Sequence, residues 1–398
     1  MEKSIRVGIV GSGNAAVFHY EAYKRVTGID VKVVGVTSLD QSHCEDFAGK
    51  RHIQPFASLH DMLPAVDVVD NCTPGYAHEP VSITAFEAGK HVIIEKPFTG
   101  YYGPEGDDAF HGNRFPKQKM LDEAVASARR LIAAALKSNR KLCYAENWIY
   151  APAVHKEAEI LSKSRGQILW ALGDQSHSGS PSSAYGTWKL SGGGSVVGKS
   201  CHPLTAILYL KQIEGMTLYG KAIRPKALSA RTHEITRNPR FMDKGFLRTD
   251  YKDIEDYCQI HLVFDDGMVA DVFASEIVMG GVHNWLEIFA NNHRARCNLS
   301  PNNAMELYNP REEQLAEVYL VEKIGTKQGW STPAPDESFM FGYPQEIQDF
   351  MEAVATGREP KSGMLAASDS VGVLYAAYLS AERKGTEVEV PLDPALAS

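Results

Sequence analysis

Three stretches of this chain have the residue types and spacing for chemistry. The first is Gly11-x-Gly13-x-x-Ala16 in GIVGSGNAA. There Gly11 permits a tight turn, Gly13 lets backbone N–H groups approach a pyrophosphate, and Ala16 lets the next helix pack close to the sheet. Asn14 and Ala15 open that helix, whose N-terminus adds donors and partial positive charge to the same cofactor site. This is the chemistry of dinucleotide binding. The second stretch is HVIIEKP, where Glu95 and Lys96 follow an apolar run. An ammonium held there can hydrogen-bond a substrate hydroxyl and stabilise a developing alkoxide. The third is GGSVVGKS, residues 193–200, a literal G-x-x-x-x-G-K-S match to the phosphate-gripping P-loop.

The elements that must position these residues follow from periodicity. β-rich apolar runs at 4–11, 30–38, 66–73, 91–97 and 141–147 alternate with helical patterns, the last of them at 120–139. That alternation predicts βαβ units around a parallel sheet buried on both faces. The second strand ends in VTSLD, so Ser38 and Asp40 stand where the adenosine ribose is read. An acid there favours NAD by repelling a 2′-phosphate, while Ser38 by itself also admits NADP; Asp40 can equally cap the next helix. Thr73-Pro74 falls at another strand edge along which such cofactors pass. Residues 99–119, rich in Gly, Pro and aromatics, break the rhythm and read as an ordered functional loop. After residue 165 strand-like runs dominate: QILWALGDQS, LYGKAIR, DYCQIHLVFDDGMVADVFAS, NWLEIFA and RARCNLS. The Asp-Gly inside the third marks a hairpin, and two helices close the chain near 344–356 and 366–383. The expected fold is therefore α/β: a Rossmann domain over 1–147 with an insertion at 99–119, then a C-terminal α/β domain over 148–398 with a large, mostly antiparallel sheet. A working P-loop does not fit, because residues 183–192, SAYGTWKLSG, contain no apolar strand to precede it.

Composition bounds the partners. A net charge of −8 with no basic block argues against nucleic acid, and no apolar run is read as a membrane span. The six scattered cysteines form no C-x-x-C pair, so neither a zinc site nor a disulfide framework is expected. The expectation is a cytoplasmic protein with buried free thiols.

At this point the chain resembles the glucose–fructose oxidoreductase / inositol dehydrogenase (Gfo/Idh/MocA) family. The resemblance rests on GIVGSGNAA, CTPGYAH, AGKHVIIEKP, the later GGG…H and the closing YPQEIQDFMEAVATGREP. It implies NAD, a small-molecule sugar or polyol substrate, and assembly as a homodimer or homotetramer. It also implies a catalytic Lys96 touching cofactor and substrate, a catalytic His202 taking the hydroxyl proton, and a cofactor site reaching His78 and Trp188. The family's usual acid four residues before the histidine is Gly198 here, and the acid three residues after it is Thr205. Glu146, Asp174 and His177 are the candidates to compensate, with Asn147 and Tyr185 beside them in the substrate site. Lys199 is an added cation. The leading expectation is NAD-dependent oxidation of a sugar, glycoside or polyol. The alternative is a redox-neutral, NAD-dependent glycoside hydrolase working by oxidation, elimination, water addition and re-reduction, with Lys199 favouring an anionic sugar.

Overall fold

The apolar run at the N-terminus forms β1 (Ile5–Val10), the inner strand of a six-stranded sheet. The computed structural model describes residues 4–182, 184–300 and 304–396. The other strands are β2 (Val31–Thr37), β3 (Gln54–Pro55), β4 (Val68–Asn71), β5 (His91–Glu95) and β6 (Leu142–Ala145), in the order β3-β2-β1-β4-β5-β6 and parallel throughout. Five helices connect them: α1 (Asn14–Tyr23), α2 (Gln41–Arg51), α3 (Leu59–Met62), α4 (His78–Glu87) and α5 (Lys117–Ser138). Val7, Ile9, Val68, Val69, Ile93 and Ile94 are fully buried, as continuous apolar strands must be when helices cover both faces. The strand order reverses between β1 and β4, so a crevice opens at the carboxyl ends of these strands. The expected helix at 120–139 is α5, which begins three residues earlier, at Lys117, and ends at Ser138.

The chain continues with α6 (Pro152–Ser164), β7 (Ile168–Ser176), α7 (Trp188–Ser191), α8 (Cys201–Tyr219), β8 (Pro225–His233), β9 (Tyr257–Phe264), β10 (Val269–Ser275), β11 (His283–Ala290) and β12 (Arg294–Asn298). A small ribbon of β13 (Leu307–Asn309) and β14 (Gly329–Ser331) follows, then α9 (Glu337–Met340), α10 (Tyr343–Thr356), α11 (Met364–Glu382) and β15 (Val388–Glu389). The second sheet has seven strands in the order β12-β11-β7-β10-β9-β8-β15. It is antiparallel except where β7 and β10 run parallel, and the Asp-Gly hairpin joins β9 to β10. The strand expected at LYGKAIR is absent. Leu218 and Tyr219 complete the last turn of α8, Gly220 caps it in the left-handed region, and β8 starts only at Pro225. A helix buried on all sides carries no amphipathic period, so its end reads like a short strand.

α8 and α11 pack on one face of this sheet. On the other, Trp170 and Phe289 stack at 4.7 Å between ring centroids. α10 returns to pack on α1 and α11 on α5, so the C-terminal helices buttress the first domain. α11 is long and apolar enough to cross a bilayer, which the sequence reading overlooked. It is a core helix: every residue from Ala366 to Ser380 is buried. All six cysteines are buried free thiols.

The 99–119 insertion contains one short 3-10 turn, Gly112–Arg114. Its rings pack together, Tyr101 stacking on Phe115 at 5.3 Å and Phe110 meeting Phe115 edge-on at 5.4 Å. The second domain holds it in place: Trp188 Nε1 donates to the Tyr101 carbonyl at 2.9 Å, and the Asp253 carboxylate accepts the N–H groups of Gly112 and Trp188 at 2.7 and 2.8 Å.

The P-loop-like octapeptide follows α7, not a strand, and ends in a π-helical turn, Val196–Ser200, that runs into α8. It holds a carboxyl group nonetheless, one supplied by the chain. Gly194 N–H and Val196 N–H donate to the Glu255 carboxylate at 3.2 and 2.8 Å, and the Tyr378 hydroxyl donates to it at 2.8 Å. Burial pushes Glu255 up to about 7, against the pull of these donors. Because its folded pKa is raised, its contribution to stability is full below the ordinary carboxylate range and is lost as pH rises through about 7. Glu255→Ala strands these donors in the interior and is expected to cost about 2–3 kcal/mol. Thermal melts should show the gap from wild type wider near pH 5 than near pH 8. A variant melting with wild type at both pH values would show that the carboxylate does not hold this loop.

Candidate active site

A cleft of about 750 Å³ opens where the strand order reverses and continues under the second sheet. One end is the glycine turn. Gly11 has φ +102°, and a Cβ there would lie 2.7 Å from the Cys72 carbonyl oxygen, so only glycine brings β1 this close to β4. A Cβ at Gly13 would meet no atom within 4 Å, which leaves its amide open to a ligand. Gly11, Gly13, Asn14, Ala15, Ser38, Thr73, Pro74, Glu95 and Lys96 all line the cleft. This backbone cradle at a helix N-terminus suits the pyrophosphate of a dinucleotide.

Four residues expected at the cofactor do not line the cleft. Ala16 is fully buried against the sheet. Asp40 is exposed and caps α2, accepting the His43 N–H at 3.0 Å, which leaves Ser38 at the cleft wall. His78 is buried and sets its ring nitrogens against the carbonyl oxygens of Thr73 and Pro97, at 2.8 and 2.9 Å. It ties the two cofactor-side loops together from behind. Trp188 is fully buried, tilted against Tyr378, and belongs to the core under the insertion.

Lys96 emerges at the end of β5. Its backbone N–H donates to Glu95 at 2.8 Å, and Glu95 lies 3.2 Å from His19 Nε2. His19 Nδ1 in turn meets Asp70 at 3.0 Å. This buried chain links α1, β4 and β5 and fixes where Lys96 leaves the sheet. His19 stands three residues past Ala16, a signal the sequence reading did not use. Burial works against the charge on Lys96, but Cys201, Glu95, Glu146 and Glu322 around it raise its pKa above the usual lysine range. Lys96 is thus a cationic donor.

His202, near the start of α8, answers the question of the missing acid. Its Nδ1 lies 2.5 Å from Glu146 Oε1, and its ring stacks on Trp148 at 5.9 Å. The carboxylate therefore comes from the end of β6 and not from α8. Burial lowers the His202 pKa, Glu146 opposes that, and Lys96 adds to it. The imidazole is neutral near pH 7, donates Nδ1–H to Glu146, and has no partner for Nε2 among the described residues. Glu146 is fully buried behind the histidine and does not line the cleft, so it positions His202 and does not touch substrate.

An acid at position 198 would have to displace Tyr185. A Cβ on Gly198 would sit 2.6 Å from the Tyr185 ring, which fills that space and lines the cleft. Asn147 and His177 also line it, and Asn147 Nδ2 donates to the Phe341 carbonyl at 2.8 Å. Asp174 does not: it faces the other side of β7, bonded to Ser176 and paired with His283 at 3.4 Å. Lys199 is buried at the cleft wall, 2.9 Å from Glu276 and 2.7 Å from His177. The Glu276 carboxylate balances it, so the gain in positive charge expected from Gly198 and Lys199 together is not realised. Glu322, Asn284 and Tyr343 complete the wall. Tyr343 stacks on Phe18 across the cleft edge at 5.1 Å. That contact joins residues more than 300 positions apart in sequence, and no local pattern marks it.

Comparison with known proteins agrees with this geometry. Residues 5–103 match the GFO_IDH_MocA family, described as an oxidoreductase family with an NAD-binding Rossmann fold. The chain is 32% identical over 127 residues to UDP-N-acetylglucosamine 3-dehydrogenase of Acidithiobacillus ferrooxidans, a match covering 32% of this chain and 38% of that protein. It is 35% identical over 104 residues to inositol 2-dehydrogenase of Corynebacterium glutamicum, covering 25% of this chain and 30% of that one. The chain thus matches well under half the length of these curated relatives. Among solved structures, GenD2 from gentamicin A biosynthesis in complex with NAD superposes with a TM-score of 0.76 at 23% identity, over 98% of this chain and 97% of that one. A putative myo-inositol dehydrogenase from Sinorhizobium meliloti gives 0.70 at 18% identity, over 97% of this chain and all of that one. These likenesses establish a shared two-domain fold. Residues 5–103 are thus similar to the NAD-binding Rossmann domain of the Gfo/Idh/MocA oxidoreductase family, and the chain as a whole shares the fold of these solved structures.

Proposed function

We propose that the chain is an NAD-dependent oxidoreductase acting on a hydroxyl of a sugar, glycoside or polyol. The observation that carries this is the Glu146–His202 pair opening onto the same cleft as Lys96 and the glycine turn. NAD bound along Gly11, Gly13 and Thr73 supplies the hydride acceptor. The residues of the chain handle the proton and the oxygen. Lys96 donates to the carbinol oxygen and stabilises its negative charge as the O–H bond breaks. His202 Nε2 takes the proton, and Glu146 stabilises the imidazolium that results. Trp148 and Tyr185 form apolar walls against which a sugar ring can lie.

The relatives named above act on inositol and a nucleotide sugar, which supports a carbohydrate substrate without choosing one. The test incubates the protein and NAD with free sugars, inositols, UDP-sugars and aryl glycosides, following NADH absorbance and aglycone release together. NADH formation supports oxidation. Aglycone release without net NADH supports the redox-neutral reading. Silence toward the whole panel counts against both. An anionic substrate has lost its main support, since Glu276 balances Lys199.

The exposed face of the seven-stranded sheet, with its Trp170–Phe289 stack, supports pairing of sheets in a homo-oligomer. Light scattering at micromolar concentration is expected to give at least a dimer mass, and Trp170→Glu should lower it. A monomeric wild type would overturn this.

A further inference from the structure

Two carboxamides on the wall of the cleft have no task within the protein. Gln175 on β7 and Asn284 on β11 stand directly opposite each other in the antiparallel ladder, and both line the cleft. Opposed residues project from the same face of a sheet, with Cβ atoms about 5 Å apart. Neither carboxamide has a hydrogen-bond partner among the described residues, although Asn284 is only 3% exposed and the side-chain carbonyl oxygens of both are buried. Folded proteins pair nearly all their buried amides, because an unpaired one has given up its hydration for nothing. Two of them side by side, facing a cleft, point to a ligand that supplies the partners.

Their position ties them to the chemistry. Side chains alternate along a strand, so Gly173, Gln175 and His177 share one face of β7. A Cβ at Gly173 would meet Pro203, the residue after His202, at 2.7 Å. His177 lies 2.7 Å from Lys199. Gln175 therefore sits on the row between the turns that carry His202 and Lys199, with Asn284 beside it. A third group enters from the segment before α9. The backbone N–H of Glu322 donates to Glu337 at 3.1 Å, and Lys323 Nζ donates to the Gly179 carbonyl at 2.5 Å, which pins the segment near the end of β7. The Glu322 carboxylate lines the cleft within electrostatic reach of Lys96 and Lys199, and among the described residues it makes no hydrogen bond or ion pair of its own.

Counting donors and acceptors narrows the ligand. A carboxamide offers two N–H donors and one carbonyl acceptor, while a carboxylate only accepts. Two neighbouring free hydroxyls match this set: their O–H groups serve the carbonyl oxygens and the carboxylate, and their oxygens accept from the amide N–H groups. An acetamido group brings one N–H and one carbonyl, enough for a single carboxamide. An ionised phosphate brings no donor and meets Glu322 as a like charge. An ammonium brings no acceptor and meets Lys96 and Lys199. We propose that Gln175 and Asn284, with Glu322 across the cleft, are the specificity-determining residues of the site and read two adjacent free hydroxyls beside the reacting carbinol; this rests on the oxidoreductase reading above. The reacting oxygen stays with Lys96 and His202. Loss of either neighbouring hydroxyl leaves a buried amide unpaired, which such a site penalises far more than the lost contact area does. The preferred substrate thus carries a free vicinal diol, and a sugar with an N-acetylamino group at those positions is a poor one.

The test gives NAD-loaded protein myo-inositol, methyl β-D-glucoside and the monodeoxy analogues of each, alongside N-acetylglucosamine and glucose 6-phosphate. Calorimetry reads binding and NADH absorbance reads turnover. Wild type should bind at least one of the two parent compounds and prefer it over a monodeoxy analogue by about 100-fold or more. Asn284→Leu and Gln175→Leu should each lower binding of the parent to the level of that analogue and leave the analogue unchanged. A side chain with a purely structural role would lower both together. Because the amides have no partner in the protein, both variants should also melt no lower than wild type in the absence of sugar. No binding of either parent overturns the proposal, as does equal binding of a parent and all its analogues. So does a preference for N-acetylglucosamine or glucose 6-phosphate, and so do equal losses on parent and analogue, or a lowered melt, in both variants. Discrimination that the variants lose, with no NADH formed by wild type, upholds the hydroxyl-reading site and counts against the oxidoreductase reading instead.

Discussion

Lys96→Ala is expected to retain NAD and to lose turnover by about 10²–10³-fold, the usual cost of deleting one donor to a developing oxyanion. The glycine turn, Ser38 and Thr73 that form the cofactor cradle are untouched by the change. What disappears is the buried cation at the end of β5, kept charged by the carboxylates around it. Titration of NAD by calorimetry and initial rates from NADH absorbance separate the two effects. A neutral substitute such as Met fills the same space and should be as inactive, while Arg should recover little because its planar fork presents donors in a different geometry. A Lys96→Ala enzyme keeping more than about a tenth of the wild-type rate would remove Lys96 from the chemistry.

Glu146→Gln is the second large effect, expected at about 10²-fold or more in kcat. The carboxylate accepts Nδ1–H of His202 at 2.5 Å and so leaves Nε2 as the base. An amide can turn its NH₂ toward the ring, which favours the opposite tautomer and places a proton where the base should be. Because Glu146 lies behind the histidine, KM should change less than kcat, which a general packing defect would not produce. The pH profile gives an independent readout. His202 must be neutral to act, so kcat/KM falls as pH drops through its pKa, which burial already holds below 6.5. Removing the carboxylate that opposes this lowering moves the acid limb to still lower pH. An acid limb displaced upward would show that another group is the base.

Some of this was legible in the sequence for a plain reason. Strand–helix alternation, the glycine spacing and the apolar run before Lys96 are local patterns, and the parallel sheet follows from them once both faces are buried. The same holds for the Asp-Gly hairpin and for the rejection of the P-loop, which needs only the absence of a strand before Gly193. LYGKAIR shows where local reading ends. A helix buried all round and a short strand have the same apolar character, and only the packing of α8 against its neighbours separates them.

The site divides along the same line. Gly11, Gly13 and Lys96 each sit in a local motif whose type and spacing mark them, and His202 is marked by the resemblance of GGG…H to the family's pattern. The partner of His202 is marked by neither. Gly198 appears to leave the histidine without an acid only if the acid must come from α8; the fold brings Glu146 from β6, 56 positions away. The same packing sends Asp174 to the far face of β7, draws Trp188 into the core, gives Asp40 to a helix cap and sets Glu276 against Lys199. The amino-acid sequence by itself determined which backbone could cradle a dinucleotide and which two side chains could do the chemistry, because those properties reside in a few consecutive residues. Only the tertiary structure decided which charges are paired and which are free, because a charge's partner is chosen by distance in space and by burial, and neither is written in its sequence neighbours.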